Sequence, residues 1–301
     1  MDRKQRMFRI GYAVARMALP GGGWRFRGLA DCPSCGNRTL LALHRNHAQT
    51  VRRLAETWDN PPAYKRALEE REANVCGICR ANRRVRAQAR CVLDLLGLAH
   101  PRDLVRHMEE NRGFAIYEAA AWNVFRIAEL AALPNYVTSE YFDGAAPGAL
   151  VDGVRNENLE RLSFADGAFD IVLTSDVLEH VANLDRALAE IRRVLKPDAC
   201  HVFTVPSDPA LPSTVERAYV RDGKIVNLKP PIFHGDTIGT NRIIVFRDFG
   251  RDTAALIEQK SGGGHCVAKA CAADDRHTSE IYVYRRDASA LATSATSRNL
   301  A

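Results

Sequence analysis

The clearest patterning of apolar and polar positions lies near the middle of the chain, in residues 164–206. Residues 169–173 form a short apolar run that ends at Thr174, Ser175 and Asp176, the pattern of a buried parallel strand. Leu184, Leu188, Ile191 and Leu195 follow at three- and four-residue spacing, which draws one apolar stripe along a helix. Asn183 can cap that helix, Lys196 suits its end and Pro197 stops it. Residues 200–205 are a second apolar run. Strand, crossover helix and strand predict a parallel α/β unit.

The same reading extends both ways. Residues 114–118 predict a first strand, 136–139 a second that ends at Glu140, and 151–154 a third. Residues 266–271 and 281–284 predict a closing antiparallel pair. Before them, Phe246, Arg247 and Asp248 are expected to open a helix capped by Asp248. Residues 207–235 are long, polar and Pro-containing, longer than an ordinary connection, and are expected to lie over a substrate.

Composition adds bounds. The chain has 301 residues, 46% of them hydrophobic and 26% charged, an ordinary globular balance. No apolar run approaches the length that spans a bilayer. The first 20 residues lack a signal-peptide core, so a cytoplasmic protein is expected. Residues 1–110 hold 21 Lys or Arg against 11 Asp or Glu, a basic front that suits either plain solvation or an anionic partner such as nucleic acid. The arginines that crowd residues 80–90 are read as a charged outer helix face or as guards of an anionic substrate.

Cysteines change the picture more. Cys32 and Cys35 form one Cys-x-x-Cys turn, and Cys76 and Cys79 another. Two such turns suit a four-thiolate structural zinc site, because a two-residue spacer lets both sulfurs reach one metal. Pro33, Gly36 and Gly77 suit the turns. Independent redox-active or simply buried pairs are the other reading. The chain therefore divides into a basic N-terminal region with a zinc-ribbon-like module (1–110), an α/β domain (111–287) and a Ser/Ala/Thr-rich tail (288–301) expected to be disordered.

Phe169-Asp170-Ile171-Val172, then Asp176-Val177-Leu178-Glu179-His180, then Leu195-Lys196-Pro197, resemble the fourth-strand region of class I S-adenosylmethionine-dependent methyltransferases, of the small-molecule and cell-envelope type. The resemblance covers roughly residues 114–286 and implies a Rossmann-like seven-stranded sheet. It implies a cofactor site made by Glu118, Ala119 and Ala121 of the first loop, by Glu140 on the ribose hydroxyls, by Asn158 and Leu159 at the adenine, and by Asp176. The sequence departs from the family where its loop glycines belong: Glu118 is followed by three alanines, then Trp122 and Asn123. Residues 229–236 resemble a Pro-x-x-Tyr-His-Gly segment of the same group, with Phe233 in the aromatic place.

The implied activity is methyl transfer to oxygen or nitrogen of a small-molecule or glycan-like acceptor. His234, His180 and Asp176 are the catalytic candidates, because a hydroxyl acceptor must lose a proton and a histidine titrates near neutrality. An inactive binding or assembly protein that keeps the fold is a second reading. A nucleic-acid methyltransferase steered by the basic front is a third, against which stands Thr174-Ser175-Asp176-Val177 where a base-amino methyltransferase carries an Asn-Pro-Pro-Tyr-like tetrad.

Overall fold

The computed structural model describes residues 24–56, 62–120, 123–234, 243–274 and 277–287. The expected tail at 288–301 and the loop residues Ala121 and Trp122 lie outside these.

The N-terminal part opens with the antiparallel strands β1 (Trp24–Asp31) and β2 (Arg38–His44), followed by helices α1 (Arg45–Glu56) and α2 (Pro62–Ala73) and the short β3 (Asn74–Cys76), which pairs with β2. Asn82 then caps α3 (Arg83–Leu95), its side chain accepting from the Val85 amide. Helix α4 (Pro101–Glu110) starts with a proline at its first turn and a reciprocal cap between His100 and Asp103.

The main sheet follows: β4 (Ile116–Ala119), the one-turn helix α5 (Ala128–Ala131), β5 (Tyr136–Thr138), the small hairpin β6 (Leu150–Val151) and β7 (Val154–Arg155), then β8 (Phe169–Ser175), α6 (Leu184–Val194) and β9 (Leu195–Thr204). Residues 207–252 form short pairings: β10 (Val215–Glu216) with β15 (Arg247–Asp248), β11 (Ala218–Arg221) with β12 (Lys224–Asn227), and β13 (Phe233–His234) with β14 (Ile243–Ile244). Helix α7 (Thr253–Lys260) leads to the hairpin β16 (His265–Asp274) and β17 (His277–Arg285).

Sheet order is β16-β17-β9-β8-β4-β5, with β9, β8, β4 and β5 parallel and β17 antiparallel to β9. Among the described residues six strands join this sheet, one fewer than expected. The third strand read at 151–154 is the β6–β7 hairpin, whose flank touches the sheet's margin only through a Glu140–Asn156 bridge. Gly153 and Asp152 at its turn both take positive φ, which folds the run back on itself.

Period-two alternation sends residues to two cores. Ile116, Ile171, Leu173 and Val202 pack with α3 and α4, while Tyr117, Val172 and Phe203 pack with α6 and α7. Helices α3 and α4 precede residue 110 yet line the sheet's core. That location corrects the reading of the arginine cluster as an outer face. Arg84 and Arg86 are buried. Arg86 donates to the carbonyls of Asn74, Ala81 and Ala273 and pairs with Asp274 at 3.2 Å. The expected helix start at Asp248 is also displaced: Asp248 pairs with Arg217, just beyond the neighbouring strand β10, and Asp252 precedes the helix instead, held by Thr214.

Candidate functional site

The loops that follow β4, β5 and β8 gather at the carboxyl ends of parallel strands, where open α/β sheets bind ligands. In the first loop, Glu118 is buried at the end of β4. Its carboxylate accepts the Val124 amide at 2.8 Å and the Tyr136 hydroxyl at 2.5 Å, which ties the loop's far end to two strands. Burial raises its pKa, opposed by these donors. Ala120 and Asn123 hold φ of 51° and 54°, the left-handed region that glycine enters most easily. Both of these positions thus take glycine-type backbone angles with other residues, and buttressing has to hold them there.

That buttress comes from the cysteine module. The Ser34 hydroxyl donates to the Val124 carbonyl at 2.6 Å, the Arg126 amide donates to the Ser34 carbonyl at 2.8 Å, and the Arg126 guanidinium donates to the Cys79 carbonyl at 2.7 Å. Cys32, Cys35, Cys76 and Cys79 themselves converge. Their sulfurs all lie within 4.8 Å of one another, with Cys32–Cys79 at 3.8 Å and Cys35–Cys76 at 4.0 Å. A tetrahedron with zinc–sulfur bonds of about 2.3 Å has edges of about 3.8 Å, so the cluster fits a four-thiolate ion. Mutual contacts among the thiols divide their acidity. Those with Cys32 hold Cys35 down to about 7 and Cys76 further down, while Cys32 is pushed up. Gly36, at φ 72°, is required at its turn, since a Cβ there would stand 2.3 Å from the His100 ring. A Cβ on Gly77 would meet the Leu40 carbonyl at 2.8 Å.

At the second strand, Glu140 is buried two residues beyond β5, its backbone bonded both ways to the 155–157 segment. A carboxylate at this height suits a ribose diol. Asn158 turns its side-chain oxygen onto the Glu160 amide at 2.8 Å, and Leu159 buries its side chain in the core with α6.

Asp176, at φ 53°, ends β8 under a pair of arginines that were not singled out as partners from sequence. Arg71 reaches it with two hydrogen bonds of 2.6 and 2.7 Å, Arg84 stands at 3.3 Å, and the Thr204 hydroxyl donates at 2.8 Å. Burial would raise the Asp176 pKa, but the two guanidiniums outweigh it and hold the carboxyl well below the usual range. Glu72 accepts from both arginines. Asp176 is therefore committed to fastening α2 and α3 to the sheet. The arginine run at 80–90 signalled Arg84 alone, which charge counting could not orient, and nothing in the sequence signalled Arg71.

Residues 178–180 form a 3₁₀ turn after β8. The 207–252 segment packs on it: the Phe246 amide donates to the Glu179 carbonyl at 2.7 Å, and Arg247 donates to the Leu178 and Val181 carbonyls. This brings His234 to His180, Nδ1 to Nε2, at 3.1 Å, with Glu179 beside both. Burial lowers the His180 pKa, opposed by its bond to the Ile244 carbonyl. Burial first, and then His180, pushes His234 down to about 3, so both rings are neutral at pH 7. The sequence-derived pair is thus joined; residues 235–242 of the same segment lie outside the described residues.

Residues 134–203 match the family described as "Methyltransferase domain". A 53-residue stretch is 38% identical to dimethylglycine N-methyltransferase of Parasynechococcus marenigrum (strain WH8102), spanning 18% of this chain and 19% of that protein. Among solved structures, a S-adenosylmethionine-dependent methyltransferase from Methanosarcina mazei is 13% identical with a TM-score of 0.32, covering 57% of this chain and 92% of its own. The CMeT domain of the citrinin polyketide synthase is 12% identical with a TM-score of 0.42, covering 80% and 65%. The Burkholderia thailandensis 1,6-didemethyltoxoflavin-N1-methyltransferase is 16% identical with a TM-score of 0.31, covering 62% and 77%. The segment similar to a methyltransferase domain runs from the turn before β5 into β9.

Proposed function

We propose that the protein transfers a methyl group from S-adenosylmethionine to oxygen or nitrogen of a small-molecule or glycan-like acceptor. The observation that carries this reading is the set of carboxylates and braced loops at the carboxyl ends of β4, β5 and β8, the last two inside the segment that matches a methyltransferase family. Glu140 would hold the ribose hydroxyls, backbone at residues 158–159 would face the adenine, and the 119–123 loop would run along the methionine part. The bound sulfonium supplies an electrophilic methyl, so the chain's task is to align the acceptor and exclude water. The 207–234 segment, packed on the turn at 178–180, supplies that cover. The depressed pKa of His234 makes it a weak base, which shifts the emphasis to positioning. We assign the four cysteines to one structural zinc, on the sulfur spacing.

Calorimetry with S-adenosylmethionine and S-adenosylhomocysteine tests the reading. Binding of both is expected, with Glu140→Ala costing about 1–3 kcal/mol through loss of charge-assisted bonds. No heat and no thermal shift at saturating ligand would leave a methyltransferase-fold binding protein as the better account.

A further inference from the structure

We infer that Glu179, His180 and His234 form a second metal site, distinct from the cysteine cluster, which binds a divalent transition-metal cation. One nitrogen from each ring and one carboxylate oxygen lie within 4.8 Å of one another. Glu179 Oε1 stands 3.6 Å from His180 Nε2 and 3.8 Å from His234 Nδ1, and the two nitrogens are 3.1 Å apart. Around an ion at about 2.1 Å, neighbouring ligand atoms in tetrahedral or octahedral arrangement are about 3.0–3.4 Å apart, so a few tenths of an ångström of contraction completes the site.

Two further observations point to a cation. Glu179 is fully buried, and neither of its carboxylate oxygens accepts a hydrogen bond from a described residue. A buried carboxylate without donors is costly unless a positive partner reaches it. His180 Nδ1 bonds the Ile244 carbonyl at 2.7 Å. A carbonyl only accepts, so Nδ1 carries the proton and the Nε2 lone pair faces the cluster, the orientation that a backbone acceptor imposes on metal-binding histidines.

The metal-free alternative is defined by the same atoms. His234 Nδ1–H would donate to His180 Nε2, and Glu179 would be protonated. Metal binding then displaces those protons. Two imidazoles and one carboxylate suit zinc, manganese or iron(II), and three protein ligands leave positions open. His234 also lines a small cavity with Tyr64, Asp208 and Ile232. An oxygen-bearing acceptor placed there would be oriented by the ion; this role, unlike ion binding itself, rests on the methyl-transfer reading.

The test is a Co²⁺ titration of the full-length chain with its cysteine site already filled by zinc. The expected result is one further equivalent, with d–d absorption and no sulfur-to-cobalt charge-transfer band. Glu179→Gln and His234→Gln should each weaken it at least about tenfold while the zinc content stays at one. A stoichiometry of zero, or an affinity unmoved in both variants, overturns the site. Should either variant fail to fold, pulsed electron spin resonance of the wild-type chain with Mn²⁺ decides alone: modulation from two imidazole nitrogens supports the site, and its absence sinks it. S-adenosylhomocysteine calorimetry on the same samples separates the two readings. Cofactor heat without the further metal equivalent discards the site and keeps methyl transfer. The metal equivalent without cofactor heat does the reverse.

Discussion

His201 sits inside the sheet with no exposure, its Nε2 bonded to the Thr174 hydroxyl at 2.9 Å and its ring stacked on Phe203. Burial lowers its pKa to about 3. The unfolded chain binds this proton below about 6.5, while the folded chain refuses it until about pH 3. Folding stability attributable to this ring is therefore complete above pH 6.5 and is lost as pH falls through that window. Urea melts from pH 7 to pH 4 should show a steeper loss in the wild type than in His201→Gln; equal slopes would remove His201 from the account. Gln88 makes a second residue-scale case. From α3 its amide donates to the Thr174 and Val202 carbonyls at 3.1 and 3.0 Å, and its oxygen accepts from the Ser175 hydroxyl. Gln88→Leu, which takes the acceptor from the Ser175 hydroxyl and one donor from each of two buried carbonyls, should cost on the order of 2–4 kcal/mol in chemical denaturation. Neither residue stood out in the sequence. A histidine inside an apolar run and a glutamine on a helix show nothing of their partners until two distant segments meet.

At the scale of elements, periodicity carried far. The run at 169–173 became β8, the stripe from Leu184 became α6 with Asn183 as its cap, and the closing pair became β16 and β17. What failed were elements set by tertiary partners. Asp248 was a sound cap by type, but Arg217 claimed its carboxylate from across a strand pair. The third strand had the right composition and folded into a two-residue hairpin instead. The site divided the same way. Both Cys-x-x-Cys turns, His180 and His234 were legible, because spacing and type announce them. The arginines on Asp176 were not, because ion pairing across 105 residues leaves no local mark. The cysteine module also yields a prediction at this scale. Metal analysis of a Glu179→Gln chain purified without a metal-binding tag should give about one zinc per chain, and adding Cys76→Ser with Cys79→Ser should abolish it. Zinc retained after those additions would exclude this ligand set.

Across the whole molecule, the N-terminal region and the sheet are joined by charge as well as by packing. Arg71 on α2 grips Asp176 at the carboxyl end of β8, and the Tyr64 hydroxyl on the same helix donates to the Pro206 carbonyl at 3.1 Å. Removing Arg71 leaves Asp176 buried beside Arg84 alone. Arg71→Ala should therefore destabilise the fold by about 3–5 kcal/mol, whereas Arg71→Ala with Asp176→Asn should recover part of that loss. A double-variant cycle with no coupling would mean that the pair is ornamental to stability.

The contacts of Ser34 and Cys79 with residues 124–126 carry a thermodynamic obligation. If zinc holds the cysteine turns and those turns hold the first loop, then whatever binds the loop must act back on zinc. The coupling has to be equal in both directions. Chelator competition run with and without S-adenosylhomocysteine would read it: the cofactor product should slow zinc loss and tighten zinc retention by the same factor by which zinc tightens the product. Under this reciprocity, and on the proposed methyl transfer, the molecule would sense metal supply through its methyl donor, and methyl-donor supply through its metal.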